Sequence, residues 1–195
     1  MKTYGGRYLD SEELRALGVS AVGNDVRVHS TCVLVGLERM SFGSHVRVDA
    51  FAALIAGVGS IDFGNHVHVA AHAFMSGAAG ITVGDFVSLS QGTRVYSRND
   101  DYGGEGMTGP TVPAAYVRQT EAPVCFGRHV VVGAGSIVLP GVTIGEGSTV
   151  GALSLVKENL EPWGMYAGVP ARWLKERRRD VLELEARLLA EQAER

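Results

Sequence analysis

Val22-Gly23-Asn24-Asp25-Val26, Phe42-Gly43-Ser44-His45-Val46, Phe63-Gly64-Asn65-His66-Val67 and Val83-Gly84-Asp85-Phe86-Val87 share one frame: an apolar residue, Gly, two variable residues, Val. The frames return at intervals close to three sixes with small insertions. After a gap the frame reappears as Phe126-Gly127-Arg128-His129-Val130, and Val132, Val138, Ile144, Val150 and Val156 follow in strict sixes. Short repeats of this kind mark a parallel β-helix, a solenoid in which each coil stacks on the one before. A flat side of about six residues is one short strand with side chains alternating in and out. Apolar residues six apart therefore fall on equivalent interior positions of successive sides. The glycine after each apolar residue is expected at a corner, where a positive φ costs little. Random Gly-rich turns in an ordinary sheet would not hold this phase so long.

The bulk composition agrees. The 195 residues are 46% hydrophobic, enough for one domain with a core. The 26 glycines suit a corner-rich chain. A net charge of −3 gives no electrostatic footprint for nucleic acid. Cys32 and Cys125 form no disulfide framework and are expected to be buried thiols. With no apolar run of 18 residues and no signal-peptide pattern, a cytoplasmic protein without membrane insertion is expected.

The expected organisation has three parts. Residues 1–19 form an N-terminal capping segment whose short helix, over 8–18, starts at the capping box Asp10-Ser11-Glu12-Glu13 and stops at Gly18. Residues 20–157 form the solenoid, five to seven coils interrupted by 98–123. That stretch runs from Arg98-Asn99-Asp100-Asp101-Tyr102-Gly103-Gly104 past Pro110, Pro113 and Pro123, too long and polar for a coil side. Such a loop in a compact solenoid is usually functional. Residues 158–195 cover the open sheet edge as a C-terminal cap, with a charged helix starting at Pro170-Ala171-Arg172-Trp173-Leu174 and running to about Ala193.

Val138-Leu139-Pro140-Gly141-Val142-Thr143-Ile144-Gly145, followed by Gly168-Val169-Pro170-Ala171-Arg172, closely resembles the C-terminal half of the hexapeptide-repeat acyltransferases. The similarity covers about residues 20–175 and is greatest to the galactoside, maltose, xenobiotic and bacterial sugar O- and N-acetyltransferases. The resemblance implies an all-β, left-handed parallel β-helix, an exception to the right-handed crossover rule. It also implies a homotrimer, acetyl-CoA as co-substrate with no metal, and active sites in clefts between subunits. The implied acceptor is a sugar hydroxyl or amine, on a glycoside, a nucleotide-linked sugar or a precursor of cell-surface polysaccharide such as lipopolysaccharide.

Carried over position by position, the resemblance places the donor at Ala134 and Ala152, where small residues let a ligand's amides reach the backbone. Lys157, Arg172 and Lys175 match the family's basic positions for the CoA phosphates. Acyl transfer needs a base for the acceptor's proton. The family's loop histidine is missing: that place holds Asn99, Asp100 and Asp101. The candidate bases are Asp100, Asp101 and His72, the last one coil before the loop-bearing coil. His45, His66 and His129 share an outward corner register, and His29 and His68 lie on other outward positions; all five are read as structural. Tyr96, Arg98, Asn99 and Tyr102 are candidate acceptor contacts, by stacking on a sugar ring and bonding its hydroxyls. Two other functions compete. A zinc enzyme like the γ-class carbonic anhydrases would need a third histidine besides His68 and His72. A non-catalytic scaffold would need neither the small late-coil residues nor the basic cap.

Overall fold

The structure, a computed structural model, describes residues 5–193; the ends of the expected capping segments, 1–4 and 194–195, lie outside them. Three parallel sheets wrap one core as the faces of a prism of about seven turns. Each coil crosses the third face, turns a first corner onto the first face, a second corner onto the second face, and a third corner back. In one coil these strands are Met40–Phe42, Arg47–Val48 and Ala53–Ile55, and the next coil begins at Ile61–Phe63. Registers match the repeat: Val22 pairs Phe42, Phe42 pairs Phe63, and Val83 pairs Phe126. Phe42 and Phe63 stack at 5.0 Å inside the core. The strict sixes of Val132, Val138, Ile144, Val150 and Val156 all point inward, at most 3% exposed. Each such side chain stabilises the fold by roughly 1.5–3 kcal/mol on burial.

The corner glycines act differently from expectation. Gly23, Gly43, Gly64, Gly84 and Gly127 are absent from the positive-φ residues; the left-handed conformation falls two positions later, on Asp25, His45, His66, Phe86 and His129. The glycines are needed for close stacking instead. A Cβ on Gly43 would lie 2.5 Å from the Gly64 carbonyl oxygen, and one on Gly127 2.6 Å from the Glu146 nitrogen. The strained corner residues form an aromatic ladder along the first corner, His45 on His66 at 4.6 Å, His66 on Phe86 at 4.7 Å and Phe86 on His129 at 5.1 Å.

Both ends depart from the expected caps in detail. Helix α1 spans Ser11–Ala16 with the capping box at Asp10 formed; ahead of it Tyr8–Leu9 is a strand antiparallel to Arg27–His29. At the other end Arg172–Glu176 is a strand, not the start of a helix, and pairs antiparallel with Gly164–Ala167. Helix α2 begins only at Val181 and ends at Ala193. The antiparallel return satisfies backbone groups that the last coil would otherwise leave bare, which a helix beginning at Arg172 could not do. Leu174, expected in the first turn of that helix, is 57% exposed on the strand.

The cysteines and one histidine also differ. Cys125 is the middle residue of Val124–Phe126, between two buried neighbours, so strand alternation turns it outward and half-exposed. Cys32 is half-buried, its thiol donating to the Asp49 carbonyl at 3.1 Å. His129 is not an open corner: α2 folds over it and leaves it 3% exposed.

Candidate active site

The interruption leaves the third corner after Tyr96 and returns at Val124. It is organised by an antiparallel hairpin, Arg98–Asp100 with Gln119–Glu121, in which Arg98 faces Glu121, Asn99 faces Thr120 and Asp100 faces Gln119. The hairpin stands over the second face and closes one side of a cleft of about 590 Å³. Tyr96, Arg98, Asn99, Asp100 and Tyr102 all line it, so five of the sequence candidates meet in one place. Arg98 Nε lies 2.6 Å from Glu121 Oε1 as an ion pair without hydrogen-bond geometry, and Gln119 donates its amide to Asp100 Oδ1 at 2.9 Å.

Five further lining residues escaped the sequence reading: Ser76, Gln119, Ile137, Leu139 and Leu155. The three aliphatics had a usable signal. Ile137 and Leu155 are outward positions next to inward Val138 and Val156, and apolar residues there break the alternation. Gln119 had none, because only the hairpin register brings it to Asp100.

The three candidate bases separate. Asp101 spends both carboxylate oxygens on the loop, accepting from the backbone N–H of Gly103 at 2.7 Å and of Gly106 at 2.8 Å. Those amides hold its carboxyl below the usual range. Asp101 is not among the cleft-lining residues. His72 sits at the second corner with φ 61°, stacked on Phe51 at 5.2 Å. It lines a separate depression with Phe74, Arg94 and Tyr96; Tyr96 is the residue shared with the Asp100 cleft. Of the three, Asp100 is the carboxylate that lines the cleft.

The donor candidates occupy the second corner and the cap. Ala134 and Ala152 belong to the same corner as His72, where backbone bonds step from coil to coil: Gly92 to Ala71, Gly135 to Gln91, Leu153 to Ala134. Ile137, Leu139 and Leu155 lie on the second face between this corner and the hairpin. Lys157 and Arg172 line a small recess beyond Leu155, and both approach Glu158, at 3.6 and 3.7 Å. In the strand that replaces the expected helix, a register shift between Met165 and Tyr166 places Arg172 opposite Ala167 and Lys175 opposite Met165. Arg172 and Lys175 thus share the outward side. Arg177 is a strut, its guanidinium donating to the carbonyls of His129 at 2.7 Å and Gly147 at 2.9 Å.

Residues 126–158 match the family model described as bacterial transferase hexapeptide (six repeats). Over 179 residues, 92% of this chain and 93% of the relative, the sequence is 37% identical to the dTDP-4-amino-4,6-dideoxy-D-glucose acyltransferase of Escherichia coli.

The chain belongs to the hexapeptide-repeat acyltransferases.

The structure of AntD, an N-acyltransferase from Bacillus cereus in complex with dTDP and 3-hydroxybutyryl-CoA, superposes with a TM-score of 0.92 at 37% identity, covering 97% of this chain and 100% of that one. A serine variant of the same enzyme has been solved with dTDP-4-amino-4,6-dideoxyglucose and coenzyme A, at 36% identity to this chain, TM-score 0.91, covering 96% of this chain and 100% of that one. This acyltransferase is therefore a left-handed parallel β-helix. Among the described residues no group of three or more His, Cys, Asp or Glu is placed to hold a metal ion. In this acyltransferase His68 Nε2 lies 2.8 Å from Asp49 Oδ2, while His72 stacks on Phe51. Among the described residues no helix is long and apolar enough to cross a membrane.

Proposed function

We propose that this acyltransferase moves the acyl group of a coenzyme A thioester, acetyl in the first instance, onto the amine of a nucleotide-linked amino sugar, with Asp100 as the base. The observation that carries the reading is the Asp100 carboxylate in the cleft beside Tyr96, Arg98 and Asn99, one oxygen anchored by Gln119. The likeness to enzymes that act on a dTDP-linked amino sugar supports an amine acceptor over a hydroxyl. The nitrogen lone pair attacks the thioester carbonyl, the C–N bond forms and the C–S bond breaks. The nitrogen's surplus proton passes to Asp100, and the departing thiolate takes up a proton. Tyr96, Arg98, Asn99 and Tyr102 hold the sugar. Pantetheine runs along the second corner past Ala134 and Ala152, and the phosphates meet Lys157, Arg172 and Lys175.

The working form in this reading is a homotrimer. The second face presents an apolar outer wall, with Val33 55% and Val35 47% exposed and Ile55, Phe74, Ile137 and Leu155 on the same side, and a neighbouring copy would cover it and complete the cleft. The product would be a modified sugar precursor made in the cytoplasm for a cell-surface polysaccharide such as lipopolysaccharide. Incubation with acetyl-CoA and dTDP-4-amino-4,6-dideoxyglucose should release one thiol per amide formed, while the 4-hydroxy analogue gives no ester. Equal rates on both acceptors, or thiol release without amide, would overturn the reading. Light scattering should give three chains per particle; a fully active monomer would remove the trimer.

A further inference from the structure

We propose that Gln119 is a positioning residue for acyl transfer, its side-chain amide holding the Asp100 carboxylate turned into the cleft. The inference rests on the reading of Asp100 as base. Two neighbouring aspartates make the contrast. Asp101 has both oxygens occupied by backbone N–H groups of its own loop. Asp100 gives one oxygen to Gln119 Nε2 at 2.9 Å, and among the described residues its other oxygen takes no hydrogen bond. One oxygen is thus fixed and the other is left for the acceptor's proton.

The hairpin makes this pairing repeatable. Gln119 is the register partner of Asp100, as Glu121 is of Arg98, so each of these two polar cleft residues is held by a side chain from the returning strand. An amide suits the task. It donates to the carboxylate and does not titrate, so it never competes for the proton being moved. A carboxylate free to turn about χ1 and χ2 would lose the orientation on which transfer depends.

The test uses the full chain with acetyl-CoA and the amino nucleotide sugar. Gln119→Ala should lower kcat about ten- to a hundredfold with the KM for acetyl-CoA unchanged. Gln119→Glu keeps the shape of the side chain but has no N–H to donate to Asp100, so its kcat should fall at least as far. Both variants should keep the parent melting temperature within a few degrees, because the hairpin's backbone pairing remains. An unchanged kcat in both variants, or a loss that appears in the KM for acetyl-CoA instead of in kcat, overturns the proposal. Asp100→Asn runs alongside: if it keeps full turnover, the base reading fails and takes this inference with it. If Asp100→Asn is inactive while the Gln119 variants behave as the parent, only the positioning role fails.

Discussion

His129 and Glu185, 56 residues apart, meet with Nε2 2.7 Å from Oε2, their side chains 3% and 5% exposed. This contact fastens α2 across the first corner. Burial pushes the His129 imidazole below its usual range, and the neighbouring Arg128 and Arg177 guanidiniums push it further. Nε2 faces one oxygen of the Glu185 carboxylate, and Arg128 pairs with the other. Removing one partner strands the other, so Glu185→Ala should cost about 1–3 kcal/mol in thermal denaturation. Glu185→Gln, which keeps an acceptor, should cost less.

The same pair sets a pH dependence. His129 is held low in the fold and has its ordinary value, near 6.5, in the unfolded chain. Below that value the unfolded chain binds the extra proton, so stability is present at neutral pH and is lost as the pH falls below about 6.5. His66, depressed by burial and by His45, adds in the same direction, opposed by Gln192 and Asp85 at His66 and by Glu146 and Asp85 at His129. Melting temperatures between pH 7.5 and 5.5 should fall, and His129→Gln should flatten that slope without abolishing it.

Coil stacking predicts a glycine effect distinct from backbone strain. In Gly43→Ala the new Cβ would stand 2.5 Å from the Gly64 carbonyl oxygen and 2.6 Å from its carbon. Neither is a flexible side-chain tip, so a coil must shift, at a cost of about 1–3 kcal/mol. Urea unfolding should read this as a lower midpoint with an unchanged slope.

The two loop aspartates should separate in turnover. Asp100→Asn removes the group read as the base and should slow acyl transfer roughly 100- to 10,000-fold while acyl-CoA still binds. Asp101→Asn keeps an oxygen for one of the two amides, of Gly103 or Gly106, and should stay within a few-fold of the parent. Steady-state rates on the amino sugar decide between them; the reverse order would move the base to Asp101.

Arg172→Ala with Lys175→Ala should weaken acetyl-CoA binding about ten- to a hundredfold in calorimetry, with the melting temperature of the free protein unchanged. Both side chains are exposed on one outward side of the cap strand, and Arg172's one ion pair is a long approach to Glu158. Unchanged affinity would place the phosphates elsewhere.

Interior positions, the break at 98–123 and the capping box at Asp10 were legible in the chain, because each depends on residues near in sequence. A six-residue phase is a local signal, and an Asp-x-x-Glu box closes within one turn. The cleft was legible in part. Tyr96, Arg98, Asn99, Asp100 and Tyr102 are nearly consecutive, so one loop carries them together. Gln119 arrives through hairpin pairing, which leaves no mark on the residue itself, whereas Ile137 and Leu155 were marked by breaking the alternation. The cap was misread for a related reason. Arg172–Glu176 looks helical in isolation, and the unpaired edge of the last coil recruits it as a strand.

By itself, then, the sequence determined the solenoid, since a repeat of inward apolar residues has one way to bury them all. The glycines, which the sequence marked as corners, owe their place to the approach of the next coil, visible only when coils are stacked. Tertiary structure alone decided which of two adjacent aspartates faces the cleft. Asp100 and Asp101 are chemically identical and neighbours in the chain. The hairpin ties Asp100 to Gln119 above the second face and folds Asp101 back onto the amides of Gly103 and Gly106.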